Sequence, residues 1–383
     1  MHNVHILHRI VQLVHPMHFK KKLKNKNSKS NCICTMNRKG DFIMKKNLNN
    51  NRTNNNSNNN NNNFGGIVMM NGTITTKKDF VETVKVAIET MYSDGYVVRV
   101  QDVQKNNGLV FCGLTIQKVG VNIAPTIYLD SFYEEYRKGR TLESIVNTIA
   151  ATYEEHKVEK NFSVDMISLF DSVKDKICFK LINAEKNQEL LQDVPHIPFM
   201  DLAIVFYILV DQSIEGNATA LVRNGMMQLW GNPDVDDIYE LAKMNTQRLF
   251  RGHVASMMEV MSGIIAENDN VDPNLVDAFF SMDVYEDNFM PMFIATNKCK
   301  INGASVLLYD GLLAEFARRV GGDFYILPSS IHETILLPAT GEMDVEYLID
   351  MVRTVNSTEV SPDEVLSDNV YKYIADEDRV EMM

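Results

Sequence analysis

The chain has 383 residues and a formal net charge of −12, but the charge is divided: residues 1–68 carry 12 Lys+Arg against one acid, net +11, and residues 69–383 carry 26 against 49, net −23. An acidic body of that kind repels nucleic acid unless its cations gather on one face. Its three cysteines, Cys112, Cys178 and Cys299, argue against a disulfide framework and for a reduced cytoplasmic setting, and its longest apolar run, Leu202–Val210, is about half the length of a membrane span.

Residues 1–68 form the first segment. Asn47–Asn63 is nearly all Asn, with no apolar side chains to offset the entropy of ordering, and is expected to be disordered. Two adjacent glycine codons at Gly65 and Gly66 can spell a ribosome-binding sequence just before Met69, so the expectation is an AT-rich leader read as protein. Two alternatives stand beside it. One is a targeting segment with Ile6, Ile10, Val11, Leu13 and Val14 ahead of Lys20–Lys22. The other is a nucleic-acid-binding arm built on Lys20, Lys21, Lys22, Lys24, Lys26 and Lys29. Cys32 and Cys34 lack a second pair for a zinc site.

The body reads as an N-terminal lobe, 69–160, and a C-terminal lobe, 161–383. Thr76 opens a helix through Phe80, Val84, Ile88 and Met91, stopped at Asp94-Gly95. Val97–Val103 and Leu109–Ile116 flank Asn106-Asn107-Gly108 as a hairpin. Ile123–Leu129 is a third strand, Ser131–Lys138 a short helix, and Thr141 caps a longer helix through Glu155. The polar stretch Glu154–Ser163 marks the lobe boundary.

In the second lobe a helical segment at Met166–Val173 precedes strands Ile177–Ile182 and Phe199–Val210. Ala218–Val222 and Met226–Trp230 read as a hairpin across Arg223-Asn224-Gly225. Asp234–Leu249 and Val254–Ala266 read as helices, and Phe289–Thr296 as a strand. Ala304–Leu308 and Leu312–Val320 are helical, Phe324–Leu327 and Thr334–Leu337 are strands, Val345–Val355 is a helix and Val370–Ile374 a last strand. Connections this tight exclude parallel crossovers, so the expected class is α+β, with mainly antiparallel sheets and helices packed on one side.

Common catalytic signatures are absent: there is no phosphate-binding Gly-rich loop, no second His after His332-Glu333, and no Gly at Leu307 to complete a nucleophile elbow. Two segments hold reactive side chains at strand ends. Ser330, His332 and Glu333 place a hydroxyl, an imidazole and a carboxylate in one turn, as candidate catalytic residues. Asn297, Lys298, Asn302 and Ser329 are candidate ligand-binding residues, able to hold an anion. Ordinary turn and cap chemistry accounts for the same residues. His196 reads as a satisfied turn histidine, and Asp269, Asp272 and Asp277 lack the ligand pattern of a calcium loop. Neither a metal nor a cofactor is expected, nor a membrane partner; a protein or small-molecule ligand is.

The segments Val98–Val103, Asn122–Leu129, Leu327–Glu333 and Glu364–Asp368 resemble, in that order, the family called domain of unknown function 5688, from gut clostridial bacteria, over about Thr75 to Tyr373. The resemblance implies a start near Met69 and supplies no activity. Glu240–Lys243 with Asn245, and the stretch Asn297–His332, resemble more faintly the YtpQ-like family, implying a shared C-terminal lobe. The function expected is that of a binding or regulatory module. Its alternatives are a hydrolase or transferase using the Ser330/His332/Glu333 turn, and a nucleic-acid-associated protein if the leader is genuine.

Overall fold

Residues 74–157, 167–213, 216–267, 291–340 and 344–383 are described by a computed structural model of the chain. The leader, most of the expected lobe boundary, and Asp269, Asp272 and Asp277 lie outside them. All pairings among the described strands are antiparallel, and the class is α+β. No helix among these residues is long and apolar enough to cross a membrane.

The first sheet is β1–β2–β3. Helix α1 (Lys77–Met91) starts on a capping box, in which the Thr76 hydroxyl accepts the Asp79 N–H and the Asp79 carboxylate accepts the Thr76 N–H. Strands β1 (Tyr96–Gln104) and β2 (Val110–Lys118) pair across a turn in which Asn107 and Gly108 take φ of 61° and 68°, which explains the Asn-Gly pair. Strand β3 is only Thr126–Tyr128. The expected longer strand is cut short by Pro125, which has no N–H to donate, and by helix α2 (Leu129–Arg137). Helix α3 (Leu142–His156) follows. Phe80, Val84 and Ile88 of α1 and Ile145, Val146 and Ile149 of α3 pack on Val98, Leu114, Ile116 and Ile127 of the sheet.

The second sheet places β4 (Ile177–Asn183) on one side of the long β6 (Leu202–Ser213), with β5 (His196–Phe199) and β7 (Gly216–Leu221) on the other. The strand expected over Phe199–Val210 is thus two strands. Met200, with φ of 53°, and Asp201 make the turn between them. The hairpin expected over Ala218–Trp230 is also not formed. Strand β7 pairs back on the extended end of β6, and Asn224–Leu229 is helix α4. Met226, Met227 and Trp230 are the residues it turns inward, a helical spacing that the Asn-Gly turn signal had outweighed.

Helix α5 (Val235–Leu249) follows, then β8 (Gly252–Ser256) and helix α6 (Met257–Glu267). The helix expected from Val254 therefore starts later. Ser256 caps it, its hydroxyl accepting the Glu259 N–H while the Glu259 carboxylate accepts the Ser256 N–H, and the residues before the cap pair with β9 (Phe293–Asn297). A 3-10 turn (Gly303–Leu308), helix α7 (Leu312–Val320), β10 (Phe324–Leu327), β11 (Thr334–Pro338), helix α8 (Val345–Thr358), β12 (Tyr371–Ile374) and β13 (Arg379–Met382) complete the chain. The third sheet runs β13–β12–β10–β11–β9–β8. One core joins it to the second: Phe179, Ile204 and Phe206 pack with Phe316, Phe324, Ile326 and Tyr373.

The helical assignment of α4 is testable at Gly225, where an added Cβ meets nothing within 4 Å and φ is not left-handed. Gly225→Ala is expected to raise stability by about 0.5 kcal/mol in denaturant unfolding. A hairpin turn with positive φ at this position would give a loss instead.

Candidate functional site

The two loops singled out by their residue types lie against each other. The loop from β10 to β11 carries Ser329–Glu333, and the loop from β9 to the 3-10 turn carries Lys298–Asn302. Gly303 fits beneath the first: a Cβ there would come within 2.1 Å of both the His332 carbonyl oxygen and Thr296 Oγ1, so only glycine is accommodated. The Thr296 hydroxyl donates to that carbonyl at 2.7 Å, the Ala304 N–H to Ile331 O at 3.1 Å, and the Asn302 N–H to His332 Nδ1 at 3.3 Å.

The side chains in these loops are engaged in holding them. Ser330 is fully buried, and its Oγ accepts the main-chain N–H of His332 at 3.0 Å. His332 Nε2 stands 3.6 Å from Glu364 Oε1. Glu333 and Ser329 are buried. Asn297 closes its own loop, with Nδ2 donating to Ile301 O at 2.8 Å and Oδ1 accepting the Cys299 N–H at 3.0 Å. Lys298 stays exposed, its main-chain N–H donating to Arg251 O. Ser330, His332 and Asn302 are brought together; Lys298 is not drawn in with them.

The segment Ser361–Asn369, which includes Glu364–Asp368, runs alongside. Ile331 N–H donates to Glu364 O, Leu366 N–H to Ser329 O and Ser367 N–H to Pro328 O. Amide side chains from other elements take five more of its carbonyls. Asn106 Nδ2 donates to Asp363 O at 2.9 Å, Asn107 Nδ2 to Pro362 O and Val365 O at 2.8 Å each, Asn183 Nδ2 to Leu366 O at 2.9 Å and Asn356 Nδ2 to Ser367 O at 2.8 Å. Asn187 ties the same hairpin tip to the segment that follows β4, its Oδ1 accepting the Asn107 N–H at 2.8 Å. The Asp201 carboxylate accepts from the Ser367 hydroxyl at 2.6 Å, from Asn369 Nδ2 at 3.0 Å and from the Tyr371 hydroxyl.

These surroundings shift several groups. Burial, then the Asp201 charge, pushes the Tyr371 phenol far above its usual range. Burial pushes the Cys178 thiol up to about 12, so it is no thiolate at neutral pH. For Asp368, burial opposes ionisation, but hydrogen bonding from Asn356 and the Lys186 charge hold its carboxyl below the usual range. Among the described residues no cluster of His, Cys, Asp or Glu could hold a metal ion. Asp201, Asn183, Asn187 and Lys180 were not singled out from the sequence. One signal was available: an apolar run such as Leu202–Val210 belongs to a strand covered on both faces, so a polar side chain on its neighbour β4 must itself be covered.

A family model described as "Family of unknown function (DUF5688)" matches residues 77–375. No curated protein and no solved structure matches.

Two outcomes are expected. Asn107→Gly keeps the left-handed turn while removing the side-chain bonds to Pro362 and Val365. It should cost about 1–3 kcal/mol in denaturant unfolding; an unchanged midpoint would show that these bonds do not hold the hairpin tip. Because the Asp368 pKa is lowered in the fold, its charge stabilises above its unfolded pKa of about 4 and ceases to do so as pH falls through the folded value. Asp368→Asn should therefore melt below wild type at neutral pH, and the gap should close as the pH falls below the folded pKa.

Proposed function

We propose, from the premise that the chain belongs to the DUF5688 family of unknown function, that it is a binding or regulatory module of the cytoplasm rather than an enzyme. The observation that carries this reading is the occupation of Ser330 and His332. A serine nucleophile needs an Oγ open to substrate and within reach of a base. Ser330 Oγ is closed off and bonded to a main-chain N–H, while the imidazole accepts the Asn302 N–H and faces Glu364. The atoms that would transfer a group fasten three chain segments instead.

The hydrolase or transferase reading, with Ser330, His332 and Glu333 acting and Lys298 and Asn302 holding an anion, requires these loops to separate. Association with nucleic acid rests on residues 1–68, since the charge of residues 69–383 opposes it. A YtpQ-like kinship of the C-terminal lobe is carried by residue likeness alone, at Glu240–Lys243 with Asn245 and over the stretch Asn297–His332.

A fluorophosphonate serine probe tests the choice. Ser330 is expected to remain unmodified, and Ser330→Ala to lose about 1 kcal/mol of stability. Rapid labelling of Ser330, abolished in the alanine variant, would establish an activated nucleophile and overturn the reading.

A further inference from the structure

Strand β1 is an open edge. It pairs only with β2, continuously over Tyr96–Gln104 and without a register shift. The Lys105 N–H donates to Leu109 O and the Val119 N–H to Gly95 O, at 2.7 Å each, so the odd-numbered residues of β1 bond to β2 and the even-numbered ones turn their main-chain groups outward. The outward N–H and C=O groups of Tyr96, Val98, Val100, Asp102 and Gln104 have no partner among the described residues.

Other edges of the fold are treated differently. On β4, Asn245 Nδ2 of α5 donates to Ile177 O and the Thr246 hydroxyl accepts the Phe179 N–H, at 3.0 Å each. On β8, Arg319 of α7 reaches Val254 O at 3.5 Å and the Glu259 carboxylate takes the Ser256 N–H at 2.7 Å. Strand β3 is only three residues long and follows Pro125. Edges are ordinarily blunted in such ways, by cover, proline, bulge or brevity. Strand β1, nine residues long, has none of these protections, and an edge left so is a template for another strand.

The pattern of β1 is complementary to itself. A two-fold axis at Val100 sets that residue opposite its own image, Val98 opposite the partner's Asp102 and Tyr96 opposite the partner's Gln104, so the outward groups of each strand meet those of the other. On the remaining face Val97, 39% exposed, meets the partner's Val103, and the exposed Arg99 meets the partner's Gln101. An axis at Arg99 would instead set two guanidinium groups against each other, and one at Gln101 would set Val97 against a lysine. Charge favours the same place: the hairpin 96–118 carries Arg99, Lys105 and Lys118 against Asp102, net +2, in a body of net −23. Repulsion between two acidic bodies is least where they meet through such a segment. We propose that two copies of the chain join edge to edge through antiparallel β1 strands about an axis at Val100, merging two three-stranded sheets into one of six. The proposal goes beyond the module reading and does not depend on the chemistry of Ser330.

Sedimentation velocity of the full chain over a concentration series tests it. A reversible dimer is expected, with a dissociation constant in the micromolar range because an edge-to-edge contact is small. Gln101→Lys places a cation opposite the partner's Arg99 on both sides of the axis and should weaken association about tenfold. Adding Arg99→Glu to that variant turns both pairs into opposite charges and should restore association. In wild type, hydrogen exchange over Tyr96–Gln104 should slow as the concentration rises, which decides the matter should a variant not fold. A wild type that stays monomeric at about 100 μM, a dimer indifferent to Gln101→Lys, a double variant as weak as the single one, or exchange over β1 that ignores concentration would each overturn the proposal. The first of these outcomes would leave the edge to a strand from another protein.

Discussion

The segment Ser361–Asn369 is the piece on which the architecture depends, because it makes no extended ladder with any one strand and its centre is still buried. Val365, Leu366 and Ser367 are closed to solvent, so the main-chain groups there must find partners inside the protein. They find them in four places: the β10–β11 loop, the tip of the β1–β2 hairpin, the end of β4 and the last turn of α8. Every one of those elements is thereby located with respect to the others. The asparagines suit this work because a short side-chain amide reaches a carbonyl with fixed geometry, whereas a longer glutamine would lose more rotamer freedom on ordering.

Such a hub explains why the loops rich in reactive residue types carry so little free chemistry. Gly303 lies too close to the His332 carbonyl to bear a side chain, and Ala304 is bonded to Ile331. The turn after β10 is thus held from below by one loop and from the side by Glu364. Hydroxyls and imidazoles placed in such a junction are as useful for closing hydrogen bonds as for moving protons. Their identity does not separate the two roles; the direction of each hydrogen bond does.

What could be read from the chain follows how local the governing interactions are. Helices α1, α3, α5 and α8 and the β1–β2 hairpin depend on periodicity, caps and an Asn-Gly turn, all of which lie within a few residues. Helix α4 departs from the expected hairpin because Asn224-Gly225 carries a turn signal that only the pairing of β7 with β6 overrides. The extended start before α6 needs β9, about forty residues further on, as its partner, although the Ser256–Glu259 box does mark where α6 begins; strand β13 pairs with the adjacent β12 across a short turn. In the site, Ser330, His332 and Asn302 stood out by residue type. Asp201, Asn183 and Asn187 did not, because their partners are distant in sequence: Asn183 reaches Leu366 and Asp201 reaches Tyr371.

Lys180 shows the limit of local pattern most plainly. In Ile177–Asn183 the alternation assigns it to the face away from the main core, which in a sheet with one wet face would be the solvent side. The uninterrupted apolar run of β6 beside it contradicts that assignment, since Val205, its direct cross-strand neighbour, is wholly buried. A strand buried on both faces imposes its environment on the next strand, so the lysine is only partly exposed and is flanked by apolar side chains. Asp201 is supplied with three donors and Asp368 with an amide and an ammonium. Against that background Lys180, half-buried among apolar side chains and without an ion pair to a carboxylate among the described residues, is a departure from how the fold treats its charges.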